Sequence, residues 1–282
     1  MPHLSDQVLP YRGEFGAQRP GPLADLPLPP DPMPSRLRTR PLKAWRYIGV
    51  FGADFMLCLG QVRLGRARQT FWAVWDREHE RLYERTVIGR GRLTLAAGYA
   101  RLSEDELQLE LQLDETAGVE TVCPAGESYA WTRKQGGIRA HGTLTVAGMR
   151  QEIDGRAVVD DTAAYYPRHS RWRWAAGVGL TSDGRELAWN LVSGVNDPPS
   201  GSERTVWVDG RAHETEPSRF AEDLTKVGEL RFDAEAERSR NDNLLLLRSS
   251  YRQPFGTFRG ELPGGIALAE GYGVMEQHEA WW

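Results

Sequence analysis

Apolar and polar residues alternate along much of the chain after Trp45, most clearly in the octet LQLELQLD at residues 107–114. Strict alternation places the four leucines on one face of a strand and the polar side chains on the other. In a helix the same leucines would be scattered around the axis. Shorter alternating stretches occur at residues 143–146 and 205–208. These segments predict half-buried β-strands.

Turn residues separate the predicted strands. Asp-Gly pairs at residues 183–184 and 209–210 are typical of tight β-hairpin turns. Between Trp45 and Trp282, about a dozen and a half strand candidates follow one another at the spacing of barrels and sandwiches. Because a single barrel uses fewer strands, we expect an all-β protein. Its two consecutive antiparallel barrel or sandwich units would span residues 42–162 and 163–282.

The first 41 residues differ from the rest of the chain. Eight of the 17 prolines fall within residues 20–41. Proline suits neither the interior of a helix nor a paired strand. We therefore expect residues 1–41 to form an extended, proline-rich lead-in to the two β units.

Composition narrows the classes of function. Of the 282 residues, 40% are hydrophobic and 26% are charged, which is typical of a globular protein. A net charge of -4 lacks the positive surface that nucleic-acid binding needs. No apolar run suits a signal peptide or a membrane span. We expect a cytoplasmic protein that does not bind nucleic acid and does not span a membrane.

Motifs for metals and cofactors are missing from the sequence. Cys58 and Cys123 lack the spacing of a zinc site or a disulfide framework, and the six histidines are scattered. The chain contains no Walker loop, GxSxG elbow, HExxH motif or dinucleotide fingerprint. We predict neither a metal site nor a cofactor.

The segment at residues 160–174 concentrates carboxylates, guanidinium groups and aromatic rings, and Tyr166 is a ligand-binding candidate among these rings. On a strand Trp172 and Trp174 share a face, where two indoles would wall an apolar cavity or fill a core. If Asp161 faced that apolar space, its pKa would be raised and it could donate a proton. The alternative is an aspartate that caps a turn. His169 is a further acid-base candidate.

A second group of candidates follows this segment. Asn190 alternates with the flanking Trp189 and Leu191, so it can face the interior as a hydrogen-bonding side chain. Glu203 would bind substrate if it lay at the mouth of a barrel, and otherwise it belongs to a solvated strand edge. Trp207 adds a third indole to the predicted cavity wall.

The C-terminal residues suggest acid-base chemistry. Glu276 and His278 are two positions apart, so on a strand they project together as a carboxylate and an imidazole. The chain then ends in two tryptophans, which indicate that the terminus is docked against the protein.

Short motifs distinguish the second half of the chain. They are RWRW at 171–174, SDG at 182–184, NL at 190–191, GVND at 194–197, SE at 202–203, VWVDG at 206–210, QPFG at 253–256 and GVMEQH at 273–278, followed by Trp281. In these motifs the chain resembles the bacterial family called domain of unknown function 2804. That family has no established activity. It is distantly similar to the lipocalin-like group of hydroxyneurosporene synthase, a carotenoid hydratase with two barrel-like β domains.

The resemblance implies two lipocalin-like units and the binding, hydration or cyclisation of an apolar isoprenoid or lipid-like compound. Our leading hypothesis is that the protein binds an apolar small molecule in a cavity lined by tryptophans. Tryptophan platforms and paired carboxylates also serve carbohydrates, so a glycan-binding or glycan-acting module is an alternative. A third hypothesis is a structural domain whose tryptophans only fill cores. The sequence leaves open whether the protein is an enzyme and which oligomer it forms.

Overall fold

A computed structural model describes residues 9–89, 91–244 and 247–282. The N-terminal segment runs through strand β1 (Tyr11–Glu14), the short helix α1 (Gly21–Ala24) and the strands β2 (Arg36–Leu37) and β3 (Arg40–Pro41). The proline content predicts neither a helix nor paired strands in residues 20–41, so α1 and the pairing of β2 with β3 differ from that prediction. Proline lies in the first turn of α1, where the backbone N–H has no intrahelical partner to lose.

The first sheet contains β1 and ten further strands. These are β4 (Lys43–Phe51), β5 (Phe55–Leu64), β6 (Ala67–Asp76), β7 (Arg81–Ile88), β8 (Leu93–Ala96), β9 (Tyr99–Ser103), β10 (Leu107–Leu113), β11 (Val119–Pro124), β12 (Tyr129–Val146) and β13 (Met149–Ala164). Their order is β7-β6-β5-β4-β13-β12-β10-β9-β8, and β11 pairs with both β12 and β1. The long strand β12 therefore changes partner along its length, from β11 to β10.

The second sheet follows after a short connection between Ala164 and His169. Its strands are β14 (His169–Leu180), β15 (Glu186–Ser193), β16 (Thr205–Val208), β17 (Arg211–Glu214), β18 (Lys226–Val227), β19 (Leu230–Leu244), β20 (Leu247–Leu262), β21 (Ile266–Leu268) and β22 (Glu270–Trp281). Their order is β17-β16-β15-β14-β22-β20-β19-β18, with β21 on β20. The division into units 42–162 and 163–282 stays a prediction.

Both sheets are antiparallel and curl into half-barrels, which confirms the predicted class of two lipocalin-like β units. The leucines of LQLELQLD lie in β10, where alternate positions are buried in the core enclosed by the first sheet. That strand prediction is also confirmed. Among the described residues, no helix has the length and apolar character needed to cross a membrane.

The two sheets pack against each other through the faces that point away from their own cores. Ile48 and Val50 of β4 enter the core of the first sheet. Tyr47 and Phe51 of the same strand enter a different apolar cluster, which they share with Trp174 of β14. Strands at this junction are therefore buried on both faces. The candidate site lies between the sheets rather than inside either half-barrel.

Candidate functional site

A cavity of about 230 Å³ lies between the two sheets. Its surface is mainly apolar, and both sheets contribute aromatic rings to it, among them Trp45, Tyr47, Phe71, Trp172, Trp174 and Tyr251. Such a lining, with a few polar groups, is typical of sites for small apolar molecules.

Strand geometry explains why these rings face the same space. Trp45 and Tyr47 are alternate residues of β4, and Trp172 and Trp174 are alternate residues of β14, so each pair projects from one face. Gly60 lies between Tyr47 and Phe71 in the strand register. A Cβ atom at Gly60 would lie 2.0 Å from the Phe71 ring. The glycine therefore lets that ring rest directly on the backbone.

The three indole N–H groups are bound by the protein itself. Trp45 donates to Asp160 at 3.2 Å, Trp172 to Glu276 at 2.8 Å and Trp174 to Asn190 at 2.7 Å. With their polar edges satisfied, the indoles offer the cavity their apolar rings and π faces. Asn190 itself does not line the cavity, but its side-chain oxygen holds the Trp174 indole in position.

Glu276 is a buried carboxyl group on the cavity wall. Its two oxygens accept hydrogen bonds from Trp172 and from the Gln253 amide, both at 2.8 Å. Burial raises the pKa of Glu276 to about 7, although both hydrogen bonds oppose the rise. A substantial fraction of Glu276 therefore carries a proton at neutral pH, in contact with an apolar space.

A second carboxyl group, Glu203, belongs to a buried polar cluster at the cavity. Its oxygens lie 3.4 Å from Lys134 Nζ and 3.1 Å from the Asn196 amide nitrogen. Lys134 makes a closer ion pair of 2.5 Å with Asp160. Burial raises the pKa of Glu203 above its usual range despite the attraction of Lys134. One ammonium group thus serves two carboxyl groups, which favours protonated Glu203.

His278 lies on the same face of β22 as Glu276, but the two side chains do not hydrogen-bond to each other. The imidazole Nε2 pairs with the Ser249 hydroxyl at 2.8 Å, and the ring lies 4.3 Å from that of Trp172. Burial lowers the pKa of His278 to about 4. His278 is therefore neutral at pH 7, and its imidazole forms a polar part of the cavity wall.

The structure brings Glu203, Glu276, His278, Trp172 and Trp174 together around the cavity. The other candidates lie elsewhere or behind the wall. The catalytic and binding roles of all the candidate residues, at the cavity or away from it, stay predictions.

Asp161 and His169 lie outside the cavity lining. The Asp161 carboxylate forms ion pairs with Arg46 at 2.7 Å and Arg133 at 3.9 Å, while its neighbour Asp160 faces the cavity. Burial raises the pKa of Asp161, and the guanidinium groups of Arg46 and Arg133 oppose that rise. His169 is half exposed and binds Glu279 at 2.8 Å, with its ring stacked on Trp281.

Tyr166 and Trp207 support the site without lining it. Tyr166 stacks on Trp45 with ring centroids 6.0 Å apart, and its hydroxyl accepts a hydrogen bond from Asn196 at 2.6 Å. Trp207 packs on Gly136 of the first sheet, where a Cβ atom would lie 2.4 Å from its ring. Its contact holds the two sheets together.

Sequence reasoning missed several cavity residues. Trp45 and Tyr47 show the same alternation as Trp172 and Trp174, and this was the one signal available for them. Asn196 has the appearance of an ordinary loop residue in the sequence. Lys134 and Arg238 lie outside the motifs, on β12 and β19, and only the packing of the two sheets brings them to the cavity.

Among the described residues, no three His, Cys, Asp or Glu side chains converge in a way that would hold a metal ion. The acidic groups of the cavity are bound to lysine, arginine, amide and indole donors instead.

Comparison with known proteins supports the family resemblance seen in the sequence. The family described as domain of unknown function (DUF2804) matches residues 89–282. No curated protein matches the chain significantly.

Two solved structures have a similar fold. A protein assigned to AttH from Nitrosomonas europaea has a TM-score of 0.52 and 14% identity, over 86% of this chain and 93% of that one. Kievitone hydratase from Nectria haematococca has a TM-score of 0.51 and 11% identity, over 83% of this chain and 88% of that one. At such identities the likeness shows a shared fold.

Proposed function

The chain belongs to the family described as domain of unknown function (DUF2804), and we propose that it binds an apolar, lipid-like or isoprenoid-like small molecule in the cavity between its sheets. One observation carries this proposal. The indole rings of Trp45, Trp172 and Trp174 line the cavity while their N–H groups are bound by the protein.

The position of these indoles also favours an apolar ligand over a carbohydrate. Glycan platforms present tryptophan rings on exposed grooves, where sugar hydroxyls keep contact with water. Here Trp172 and Trp174 are only 8% and 6% exposed. Removing sugar hydroxyls from water without a matching set of hydrogen bonds would cost free energy.

Glu276 favours a second candidate function, the acid-catalysed hydration of a carbon-carbon double bond. Protonated Glu276 would donate its proton to one olefinic carbon, and the π electron pair would form the new C–H bond. The cation left on the neighbouring carbon would be stabilised by the π faces of the tryptophans. Water would then form the C–O bond and return a proton to Glu276, so that the net change is the addition of one water.

Attack by a second double bond instead of water would close a ring and move the cation to a new carbon. Loss of a proton from the adjacent carbon to the Glu276 carboxylate would then form a new double bond and regenerate the acid, so that the net change is an isomerisation; this is the cyclase form of the same chemistry. The printed name of kievitone hydratase describes a hydratase on a similar fold. That likeness supports the candidate only at the level of the fold.

Binding is tested first with native mass spectrometry and organic extraction of the purified protein. The neutral dye N-phenyl-1-naphthylamine is then titrated and its fluorescence recorded. We expect Trp174→Ala to weaken dye binding at least about fivefold. Trp281→Ala, which removes an indole 38% exposed outside the cavity lining, should bind the dye normally. Equal dye binding by both variants, or a preference for maltooligosaccharides, would contradict the proposal.

Hydration is tested with neutral olefins in water enriched in oxygen-18. Uptake of the label by a product should disappear in Glu276→Gln and persist in Glu279→Gln, whose carboxyl group pairs with His169 at the surface. Full uptake in Glu276→Gln would reject Glu276 as the acid. Dye binding without any label uptake in the native protein would leave a binding protein without this activity.

A further inference from the structure

Three polar side-chain atoms of residues on the cavity wall lack a nitrogen or oxygen hydrogen-bond partner among the described residues. Two are uncharged: the hydroxyl group of Tyr47, which has the weakly bonding Cys58 thiol beside it, and the side-chain carbonyl oxygen of Asn196. The third is Nε of Arg46, whose guanidinium group is already paired with Glu115 and Asp161.

Tyr47 is 5% exposed and Asn196 is 6% exposed. Buried polar atoms are almost always paired in native proteins, because an unpaired one loses its hydration without compensation. Unlike the unpaired indole nitrogens of Trp72 and Trp189, which lie in the cores of the two sheets, the Tyr47 and Asn196 atoms belong to residues on the cavity wall, where a bound molecule can supply the partner.

The chemistry of Asn196 defines what it would bind. Its amide nitrogen already donates to the Tyr166 hydroxyl at 2.6 Å and to Glu203 at 3.1 Å, so the carbonyl oxygen remains as a pure acceptor. The backbone has φ of 51°, a left-handed conformation that asparagine tolerates better than most residues. The free acceptor requires a hydrogen-bond donor on the ligand, such as a hydroxyl group.

Tyr47 would bind a different part of the ligand. Its ring meets Trp174 edge-on, with centroids 5.2 Å apart. Burial raises the pKa of Tyr47, so the phenol keeps its proton. A neutral phenol can donate to a carbonyl oxygen, and it can donate to or accept from a hydroxyl group.

The charges around the cavity disfavour an anionic ligand. Lys134 is paired with Asp160 at 2.5 Å, Arg238 with Glu84 at 3.0 Å and Arg240 with Asp242 at 2.7 Å. In the part of the chain that the structure describes, a ligand carboxylate would find no unpaired buried cation there, and it would approach the carboxyl groups of Glu203 and Glu276. Arg68 at the rim is exposed, so water would weaken its attraction.

A cationic ligand is disfavoured for related reasons. Both oxygens of Glu276 already accept hydrogen bonds, and Glu203 shares Lys134 with Asp160. An ammonium group would also lie in the field of Lys134 and Arg238 and would lose its hydration.

We propose that the ligand is a neutral apolar molecule with two oxygen functions: a hydroxyl group that donates to Asn196 and a hydroxyl or carbonyl oxygen that pairs with Tyr47. This inference rests on the proposed function, because it names the class of molecule that the same cavity takes. It excludes free fatty acids and amines as preferred ligands.

The inference is tested by displacement of N-phenyl-1-naphthylamine at pH 7.5 with compounds that share one ten-carbon skeleton. They are 2,6-dimethyl-2,6-octadiene, geraniol, 8-hydroxygeraniol, geranic acid and geranylamine. We expect 8-hydroxygeraniol to bind about tenfold more tightly than the hydrocarbon, with geraniol between them and the acid and amine weakest. Tyr47→Phe should weaken 8-hydroxygeraniol about fivefold and leave the hydrocarbon unchanged.

Tyr83→Phe provides the matched control, since Tyr83 is buried in the core of the first sheet and does not line the cavity. Several outcomes would overturn the inference while the dye still binds in the cavity. They are equal or tighter binding of geranic acid or geranylamine, no displacement by any compound, or an equal loss for all compounds in Tyr47→Phe. Failure of the dye itself to bind would overturn the proposed function, and this inference with it.

Discussion

Trp172 donates its indole N–H to the Glu276 carboxyl group at 2.8 Å, across 104 residues of sequence. The two residues lie on the neighbouring strands β14 and β22. The indole therefore fixes the carboxyl group at the cavity wall, and it also stabilises the ionised form of Glu276 and limits the rise of its pKa.

Replacement of Trp172 by phenylalanine tests this relationship. Trp172→Phe keeps an aromatic ring but removes the N–H donor, so we expect the pKa of Glu276 to move further above about 7. The carboxyl carbon-13 chemical shift of Glu276, followed through a pH titration, measures the change. Trp281→Phe should leave the titration unaltered. A pKa that stays the same or falls in Trp172→Phe would show that this hydrogen bond is unimportant to the carboxyl group.

The pH dependence of stability offers a second prediction. The pKa of Glu276 is about 7 in the folded protein and 4.5 in the reference state, so the folded state binds its proton more tightly. The stabilising effect is therefore complete below pH 4.5 and is lost as the pH rises through 7. His278 changes in the opposite direction: its folded pKa of about 4 lies below 6.5, so its contribution is lost as the pH falls.

A comparison of variants separates the two effects. Glu276→Gln cannot ionise, so relative to the native protein it should gain about 2 kcal/mol of unfolding free energy between pH 5 and pH 8. The side-chain oxygen of Gln253 has no hydrogen-bond partner among the described residues. After rotation of the Gln253 amide group, this oxygen can accept a hydrogen bond from the amide introduced at position 276. Urea unfolding at several pH values measures the difference, with Glu279→Gln as the control. A difference that is constant with pH would refute the raised pKa.

The buried ion pair between Lys134 and Asp160 yields a third prediction. Lys134→Met would leave the Asp160 and Glu203 carboxyl groups without their ammonium partner, and we expect a loss of about 3–5 kcal/mol in stability. The double variant Lys134→Met/Asp160→Asn removes the stranded charge and should recover a large part of that loss. Urea unfolding of the two single variants and the double variant gives the coupling between them. Additive effects would contradict a direct pair.

The strand pattern of the sequence carries much information about this site. Alternation predicts that Trp172 and Trp174 share a face, and that Glu276 and His278 do so too. The structure places all four side chains at the cavity. Period-two reasoning works here because it needs only the residues of one strand.

The same reasoning cannot tell which face of a strand meets the cavity. Asp160 and Asp161 are neighbours on β13 and point to opposite faces. Asp160 pairs with Lys134 at the cavity, whereas Asp161 pairs with Arg46 on the other face. A shift of one residue along the strand would exchange these two environments. Each aspartate has a basic partner, so residue type does not distinguish the two faces. The sequence therefore indicates Asp161, although Asp160 is the aspartate that lines the cavity.

Contacts between the sheets are also hidden from the sequence. Trp45 and Tyr47 belong to the first sheet, and their partners across the cavity lie more than a hundred positions away in the second. Because both faces of β4 and β14 are buried, apolar residues on those strands do not reveal whether they face a half-barrel core or the neighbouring sheet. Only the packed structure separates the two.

Arg12 provides the last prediction, because it connects the N-terminal segment to the loop that carries Glu203. Its guanidinium group donates to the Ser202 carbonyl oxygen at 2.6 Å and to the Thr205 hydroxyl at 3.0 Å. These contacts flank Glu203 on both sides in sequence. We infer that Arg12 holds the loop, and with it the Glu203 carboxyl group, against the cavity.

Arg12→Ala should therefore reduce stability by about 1–3 kcal/mol and weaken N-phenyl-1-naphthylamine binding several-fold. Arg38→Ala is the control, since Arg38 forms an exposed pair with Glu127 and should change neither quantity by much. Hydrogen exchange at residues 196–205 distinguishes a local effect from a general one. Faster exchange confined to this loop would support the role of Arg12. Unchanged exchange there, together with unchanged dye binding, would show that the N-terminal segment does not position Glu203.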